Sequence, residues 1–166
     1  MEMFSAMRPM RRKDRQVRDP GEIRAVIAAC DCCRLGLCDH GRAYIVPLDF
    51  GFAEREGRYT FYFHSAKEGR KISLIREIGW ASFEMDTGHE AIPDENACEY
   101  TARFQCVMGG GPVRLLETAE EKRAGLAAIM AHVSGEEGLR DFPAAMLENT
   151  QVIRLEAEEL TCKIHP

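Results

Sequence analysis

The order of apolar and polar residues predicts short strands interrupted by helices along most of the chain. Asp19 followed by Pro20 is typical of a helix start, so we expect a helix over about 20–29. Downstream, alternating and aromatic-rich segments predict antiparallel strands joined by polar turns. The strands are expected over residues 34–38, 43–52, 59–63, 80–86, 100–116 and 151–164, with turns at 39–41 and 54–57 and a loop over 87–96.

Side-chain caps predict two longer helices. Ser65 is suited to cap a helix over about 66–77, in which apolar residues recur at helical spacing. Thr118 and Glu121 have the spacing of a capping box, so we expect a second helix that begins there and ends near Gly135.

Together these elements indicate an α+β fold, an antiparallel barrel with flanking helices. The strands do not alternate with helices, which excludes a doubly wound parallel sheet. Gly109–Gly111 predicts a β-bulge or a close approach of two backbones within the longest strand. A loop over 138–143 and a short helical turn precede the last strand segment. Small barrels are filled with side chains, so a cofactor is expected outside the barrel, in a groove or between subunits.

The composition is that of an ordinary globular domain with unevenly distributed charge. The 166 residues are 45% hydrophobic and carry a net charge of −5, which argues against a nucleic-acid binder. No apolar run approaches the ~20 residues of a membrane span, and the charged start is unlike a signal peptide, so we expect a cytoplasmic protein without a membrane partner. Residues 1–18 form a basic arm before a single domain over 19–166. Such an arm can contact nucleic acid, a membrane surface or a partner subunit, but a solvated tail is the simpler interpretation.

The sequence holds seven cysteines, four of which cluster at Cys30, Cys32, Cys33 and Cys38. An odd number of cysteines without a secretion signal favours free thiols in a reducing compartment. Cys30 and Cys33 have the spacing of half a zinc site, but no second pair completes it. With His40 near Cys38 a four-ligand set stays open, and buried core filling is the interpretation we favour.

Residues 63–71 carry the strongest functional signal. Lys67, Arg70 and Lys71 are three and four positions apart, so on the predicted helix they share one face of its first turns. A helix N-terminus already attracts anions through its free N–H groups, and cations there oppose the helix dipole. A bound phosphate dianion would remove this conflict, although a solvated charged face is the alternative. The sequence has no glycine-rich nucleotide fingerprint, which argues against a nucleoside triphosphate.

Three segments of the sequence resemble a known family. They are Cys33–Leu37, Ala43–Gly51 and Tyr62–Lys71, the last of which contains the motif His-Ser-Ala-x-x-Gly-Arg-Lys. They resemble the FMN-binding split-barrel superfamily of pyridoxamine 5'-phosphate oxidase-like proteins, and within it the nitroimidazole-resistance (Nim-like) group. The resemblance extends from about Met10 to the C-terminus. It implies a split β-barrel and a homodimer that binds FMN at each of two subunit interfaces.

The resemblance also implies roles for individual residues. Arg70 and Lys71 would clamp the FMN phosphate, with Ser65 and Lys67 assisting. His64 would contact the cofactor or the substrate and is the candidate catalytic residue. Further residues would line the isoalloxazine ring or lie within reach of the cofactor, namely Tyr44, Ile45, Val46, Pro47 and Cys106.

Two positions depart from the pattern of the family. Many relatives carry Asn in place of Asp49, and Ser or Gln in place of Cys106. A carboxylate disfavours an anionic reduced flavin beside it, and a thiol is a weaker hydrogen-bond donor than a hydroxyl. The hydrogen bonds around the cofactor are therefore expected to differ from those of the relatives.

The expected function is that of an FMN-dependent oxidoreductase, a flavoprotein acting on small molecules, with nitroimidazoles and other nitroaromatic compounds as candidate substrates. The alternative is a non-enzymatic flavin- or haem-binding module, in which His64 or another histidine ligates iron. A redox or metal sensor built on the clustered cysteines is a third. Pyridoxamine phosphate oxidase activity itself is not expected, because residues 160–166 lack the arginine-containing C-terminal segment of that enzyme. The other histidines, in predicted loops, on an exposed helix or in the tail, are given no catalytic role: His40, His89, His132 and His165.

Overall fold

The computed structural model describes residues 9–135 and 141–166 of the chain. These residues contain nine strands and four α-helices. The strands are β1 (Gln16–Val17), β2 (Cys33–Asp39), β3 (Arg42–Leu48), β4 (Phe50–Arg55), β5 (Arg58–Ala66), β6 (Trp80–Ile92), β7 (Thr101–Leu116), β8 (Thr150–Glu156) and β9 (Glu159–His165). The helices are α1 (Pro20–Ala29), α2 (Arg70–Ile78), α3 (Ala119–Ser134) and α4 (Ala144–Asn149), and a 3-10 turn covers Lys13–Arg15. In the described ranges no helix has both the length and the apolar character needed to cross a bilayer.

The strands form one antiparallel sheet that curls into a barrel. Its main path runs β3-β2-β6-β7-β8-β5-β4, with β9 pairing to β7 and β1. The long strand β7 pairs with β6 and β9 along its first part and with β8 over Val113–Leu116, so it belongs to both halves of the barrel. β3 and β4 are the two ends of the path, yet only Asp49 separates them in sequence. The barrel is therefore split between β3 and β4.

Aromatic and aliphatic side chains fill the interior of the barrel. Phe61 and Phe63 of β5 are fully buried there, so the alternate residues of this strand face outward. α3 packs directly on β4, and Gly51 allows this close contact because a Cβ at this position would overlap the backbone of α3. α2 packs against β2 and β7 through its buried residues, which are Ile72, Leu74 and Ile75.

The predicted helix caps of α1 and α3 are confirmed. α1 has the expected bounds, and the Asp19 side chain accepts a hydrogen bond from the Glu22 N–H at 2.9 Å. α3 begins with the capping box of Thr118 and Glu121 and ends at Gly135, which has a φ of 69°. The short helical turn expected before the last strands is α4.

The prediction of one strand over 43–52 is wrong. Asp49 interrupts it, because β3 pairs with β2 in one half of the barrel while β4 pairs with β5 in the other. β4 then continues to Arg55, so the predicted turn over 54–57 is reduced to Glu56–Gly57, both with positive φ.

The hairpin of β6 and β7 is longer than predicted. Residues 87–96, expected as a loop, are strand as far as Ile92 because the pairing with β7 continues to that point. The irregularity in this hairpin lies between Thr87 and Glu90, and not at Gly109–Gly111. Those glycines instead provide the predicted close approach, since a Cβ at the first or third would overlap carbonyl oxygens at the end of β8 or the start of β9.

The second predicted helix begins later than expected. α2 starts at Arg70, and its N-cap is Gly69, whose φ of 134° favours glycine. Ser65 is not a cap, because β5 continues past it through its pairing with β8. Lys67 consequently lies in the loop before the helix and does not share a helix face with Arg70 and Lys71.

The basic arm is described only in part. Its residues Gln16–Val17 form β1 and pair with β9. Residues 1–8 of the arm lie outside the described residues, and so do residues 136–140, which include the beginning of the loop predicted over 138–143. The division into an arm and a single domain stays a prediction.

Candidate functional site

An open cleft of about 240 Å³ lies where the barrel is split. Its lining residues are Cys32, Pro47, Leu48, Asp49 and His64. The strand pairing explains this arrangement. In one half of the barrel, Cys32 comes just before β2 and is the neighbour of Asp49 across the β2–β3 pair. In the other half, His64 of β5 is the neighbour of Asp49 across the β4–β5 pair. The cleft therefore joins side chains that are far apart in sequence.

The cationic segment predicted from the sequence comes directly after His64. Lys67 lies in the loop, and Arg70 and Lys71 are the first two residues of α2. α2 has neither a side-chain cap nor an acidic residue in its first turn. Its first N–H groups are thus free of side-chain acceptors and are joined by cations, an arrangement that an anion stabilises.

Arg70 is held over the start of β3. Its Nε donates to Asp39 Oδ2 at 2.7 Å, and its guanidinium carbon lies 4.5 Å from the centroid of the Tyr44 ring. Asp39 is also 2.7 Å from Nδ1 of His40. Hydrogen bonds from His40 and, to a smaller extent, from Arg70 lower the pKa of Asp39. The same contact with Asp39 raises the pKa of His40. The guanidinium is thus fixed in place, with part of its charge compensated by one carboxylate.

Ser65 provides a hydroxyl without a partner. Its Oγ is buried and makes no hydrogen bond with the described residues. Ser65 is the penultimate residue of β5, just before the loop that carries Lys67. It follows His64 directly, and because side chains alternate along a strand the two side chains face opposite sides of β5. The hydroxyl is therefore a buried donor without an acceptor in the described part of the chain, five residues before the start of α2.

β3 connects the cationic segment with the cleft. The Tyr44 ring lies under the Arg70 guanidinium, and Asp49 lies in the cleft. The two residues are five positions apart, which is about 16 Å along a strand. Between them Ile45 and Pro47 are exposed, with Ile45 63% exposed, whereas Val46 packs against the core. The site is thus elongated, with cations at one end and a cleft at the other. FMN, a planar ring system joined to a phosphate, fits this donor set.

Cys106 does not line the cleft. It lies half-buried on β7, opposite Asp86 on one side and Lys163 on the other. Burial raises the pKa of its thiol. Its contact with a cofactor stays a prediction.

The clustered cysteines are not gathered in one place. Cys30 and Cys33 are buried, as core filling predicts, and burial raises the pKa of Cys30 to about 12. Cys38 is exposed, and Cys32 lines the cleft, so for these two the expectation of core filling is wrong. Within residues 9–135 and 141–166, no three His, Cys, Asp or Glu side chains converge as a metal site would require. Cys32 and Leu48 are the cleft residues that the sequence did not place in the site.

Three of the other histidines lie elsewhere than expected. His132 is half-buried, with its Nε2 2.8 Å from the Cys30 carbonyl oxygen and its ring centroid 4.3 Å from that of Phe50. It therefore joins α3 to the end of α1 and has a structural role. His89 lies in β6 instead of in a loop, and His165, expected in the tail, is the last residue of β9 and pairs with Phe104 of β7.

These features define a class of protein. It is an antiparallel split barrel in which β3 connects a cationic segment, formed by Lys67, Arg70 and Lys71, with an open cleft. A family model described as pyridoxamine 5'-phosphate oxidase matches residues 19–164. The chain therefore belongs to the pyridoxamine 5'-phosphate oxidase family, and the resemblance stated from the sequence is confirmed.

Solved structures share the fold and confirm the split-barrel prediction. A candidate 5-nitroimidazole antibiotic resistance protein from Bacteroides thetaiotaomicron is 29% identical, with a TM-score of 0.76 over 90% of this chain and 86% of that one. The flavocytochrome Anf3 from Azotobacter vinelandii is 22% identical, with a TM-score of 0.77 over 95% and 72%. An FAD- and haem-binding protein from Mycobacterium smegmatis is 16% identical, with a TM-score of 0.76 over 90% and 73%. No curated protein sequence matches the chain.

Proposed function

We propose that this protein binds FMN and acts as a cytoplasmic oxidoreductase that reduces small nitroaromatic compounds. The observation that carries the proposal is an unpartnered Ser65 hydroxyl five residues before an uncapped, cationic helix start. Tyr44 of β3 lies under Arg70 of this helix, and β3 leads to a cleft lined by His64. The similarity to a candidate 5-nitroimidazole antibiotic resistance protein supports the choice of substrate. When bound, the flavin supplies the electron-transfer chemistry. Seven free cysteines are in keeping with a reducing compartment.

At the cationic end, the chain binds the phosphate. Lys71 and Arg70 neutralise its charge together with the free N–H groups of α2, and Ser65 donates a hydrogen bond from its buried hydroxyl. Asp39 and Tyr44 hold Arg70 in place before the ligand arrives, which reduces the entropy that binding must overcome.

At the other end, the cleft receives the substrate. Reduction of a nitro group to a nitroso group takes up two electrons and two protons and releases water. The His64 ring N–H donates a hydrogen bond to a nitro oxygen and passes a proton to it as negative charge develops there. The Asp49 carboxylate lines the same cleft, where it is placed to orient the His64 ring. A volume of about 240 Å³ restricts the cleft to small molecules.

Reconstitution with FMN tests this proposal. The loaded protein should show a two-band flavin spectrum and, after anaerobic photoreduction, should recover its absorbance when a 5-nitroimidazole is added. His64→Gln should slow this recovery about 100-fold, as expected for loss of a proton donor, with little change in FMN affinity. His89→Gln, in the exposed hairpin, is the matched control. Bound FMN that no nitroaromatic compound reoxidises would contradict the proposal, and an intense Soret band would favour the haem-binding alternative.

We also propose that the protein forms a homodimer through the outer face of the sheet. Ile45 on β3 and Met108 on β7 are 63% and 44% exposed. Between them, Gly36 and Ser82 occupy paired positions on β2 and β6, and the next pair on this face is Arg34 and Glu84, which form an ion pair. Pro47, two residues after Ile45, lines the cleft, so a partner covering this face would also border the site. A second copy would bury apolar surface that is otherwise left in water.

Sedimentation velocity tests the dimer. The protein should sediment with twice the 18.7 kDa mass of the chain. Ile45→Asp should shift it to the monomer, because a buried unpaired carboxylate at an interface is strongly unfavourable. Met146→Asp changes an equally exposed apolar residue on α4 and should leave the dimer intact. A wild-type protein that sediments as a single chain would refute the dimer.

A further inference from the structure

A second cleft, of about 550 Å³, lies between the end of α2, the start of α3 and the adjoining strands. It is more than twice as large as the cleft at the split of the barrel. Arg76 and Gly79 line it from the end of α2, and Glu117 lines it from the connection between β7 and α3. Its apolar lining residues are Ile75, Val113 and Leu115. The proposed function makes no use of this cleft.

Gln151 offers this cleft a fixed hydrogen-bond acceptor. The residue is only 8% exposed, and it lines the cleft from β8. Its amide nitrogen donates to the carbonyl oxygens of Leu116 at 2.9 Å and of Val152 at 3.2 Å, which occupies both N–H groups and fixes the orientation of the amide. The Oε1 accepts no hydrogen bond from residues 9–135 and 141–166 and is not sealed from solvent, so it is open to the cleft. A donor from a bound molecule would satisfy it.

The cleft also contains one cation and one carboxylate whose charges are not compensated. Arg114 and Glu121 pair with each other at 2.8 Å, and this contact lowers the pKa of Glu121 to about 2. Arg76 and Glu117 are exposed, and neither forms an ion pair with another residue that the structure describes. Their two charges are therefore available to a ligand.

These two charges lie at different ends of the cleft. Glu117 directly follows the residue whose carbonyl oxygen binds the Gln151 amide, so the carboxylate and the amide acceptor share one end. The end of α2 is fixed at Val113, because the Val113 N–H donates to the Gly79 carbonyl oxygen at 3.0 Å. Val113 comes three residues before that carbonyl on β7, which is about 10 Å along the strand. Arg76 therefore marks a basic end, separate from the acidic one.

We propose that this cleft is a second binding site, which takes a short peptide with free ends and apolar side chains, such as a dipeptide. The ammonium end binds Glu117 and donates to Oε1 of Gln151, and the carboxylate end binds Arg76. The apolar side chains pack against the apolar walls. A dipeptide spans about 7 Å, and the long side chains of Arg76 and Glu117 cover the remaining distance. A single amino acid carries both charges on one carbon and is too short to reach both ends.

Calorimetric titration of the full chain with leucyl-leucine tests the inference. Two matched probes are the N-acetylated dipeptide, which lacks the ammonium group, and the dipeptide amide, which lacks the carboxylate. The wild-type protein should bind leucyl-leucine about tenfold more tightly than either probe, and more tightly than free leucine.

Substitutions of the two exposed charged residues locate the ends of the peptide. Arg76→Gln should weaken binding of leucyl-leucine about tenfold and leave binding of the amide unchanged, because the amide has no carboxylate to lose. Glu117→Gln should weaken leucyl-leucine to the same extent and leave the acetylated probe unchanged. Arg58→Gln in β5 and Glu120→Gln in α3 change exposed residues outside the cleft and should have no effect.

The absence of saturable binding up to about 5 mM leucyl-leucine would overturn the inference. Equal binding of the dipeptide and both probes, or binding that neither variant weakens, would also overturn it. FMN-loaded and flavin-free protein should bind the dipeptide equally, because Arg76 lies in the last turn of α2 and Arg70 opens the helix. Dipeptide binding that FMN abolishes would refute a second site. The expected dipeptide pattern in a protein that fails to bind FMN would refute the proposed function alone.

Discussion

Ser65 has a buried hydroxyl without a hydrogen-bond partner among the described residues, and this feature points to a bound ligand. A buried hydroxyl without a hydrogen-bond partner costs about 1–3 kcal/mol, which a phosphate oxygen would offset. Tyr59 also has a buried hydroxyl without a partner, but it lies six residues earlier on β5, about 20 Å from Ser65. Of these two hydroxyls, that of Ser65 is the one close in sequence to the loop of Lys67 and the start of α2. Its position therefore favours a role in ligand binding.

Ser65→Ala separates a ligand-binding role of this hydroxyl from a structural one. Without flavin, the free energy of unfolding should stay the same or rise by up to about 1 kcal/mol, because an unsatisfied group is removed. The affinity for FMN should fall about tenfold, since the flavin-bound state loses a charge-assisted hydrogen bond. Chemical denaturation and FMN titration measure the two effects, with Ser134→Ala at the exposed end of α3 as control. A less stable protein with unchanged FMN affinity would show that Ser65 serves the fold.

At the scale of elements, the sequence predicted those whose signals are local. α1 and α3 were predicted with their caps, because Asp19, Thr118 and Glu121 bond to N–H groups within three residues. The start of α2 was predicted wrongly, because Ser65 has the local signal of a cap but is held in β5 by its pairing with Gln151 of β8. That pairing joins residues far apart in sequence and leaves no local pattern.

The candidate site divides in the same way. The cations at 67, 70 and 71 lie within one short segment, so their motif was visible in the sequence. The cleft depends on the register of two strand pairs, which places Cys32 and His64 on either side of Asp49. Periodicity gives the faces of a strand but not its partners, so Cys32 was assigned to the core. The resemblance to a family supplied the role of His64 but none for Cys32.

At the scale of the whole molecule, the split of the barrel brings the parts of the site together. A closed barrel of this size would be filled by side chains and would have no room for a cofactor. Here Asp49 takes the chain from one half of the barrel to the other and leaves an open cleft at the junction. The outer face that contains Ile45 also contains Pro47, which lines this cleft, so a second copy on this face is expected to complete the walls of the site. Strands β3 and β5 thus carry one part of the site, and the start of α2 with the loop before it carries the other.

The central claim is that a phosphate group binds where Arg70 and Lys71 open α2. The most direct measurement compares the affinities of FMN and of riboflavin, which lacks the phosphate, for the wild-type protein and the variant Arg70→Ala/Lys71→Ala. The variant should bind FMN about 100-fold more weakly, through loss of two charge-assisted hydrogen bonds, and riboflavin as the wild type does. Arg76→Ala, which removes an exposed cation from the last turn of the same helix, should change neither affinity. Unchanged FMN affinity in the folded double variant, or an equal loss for FMN and riboflavin, would contradict the account.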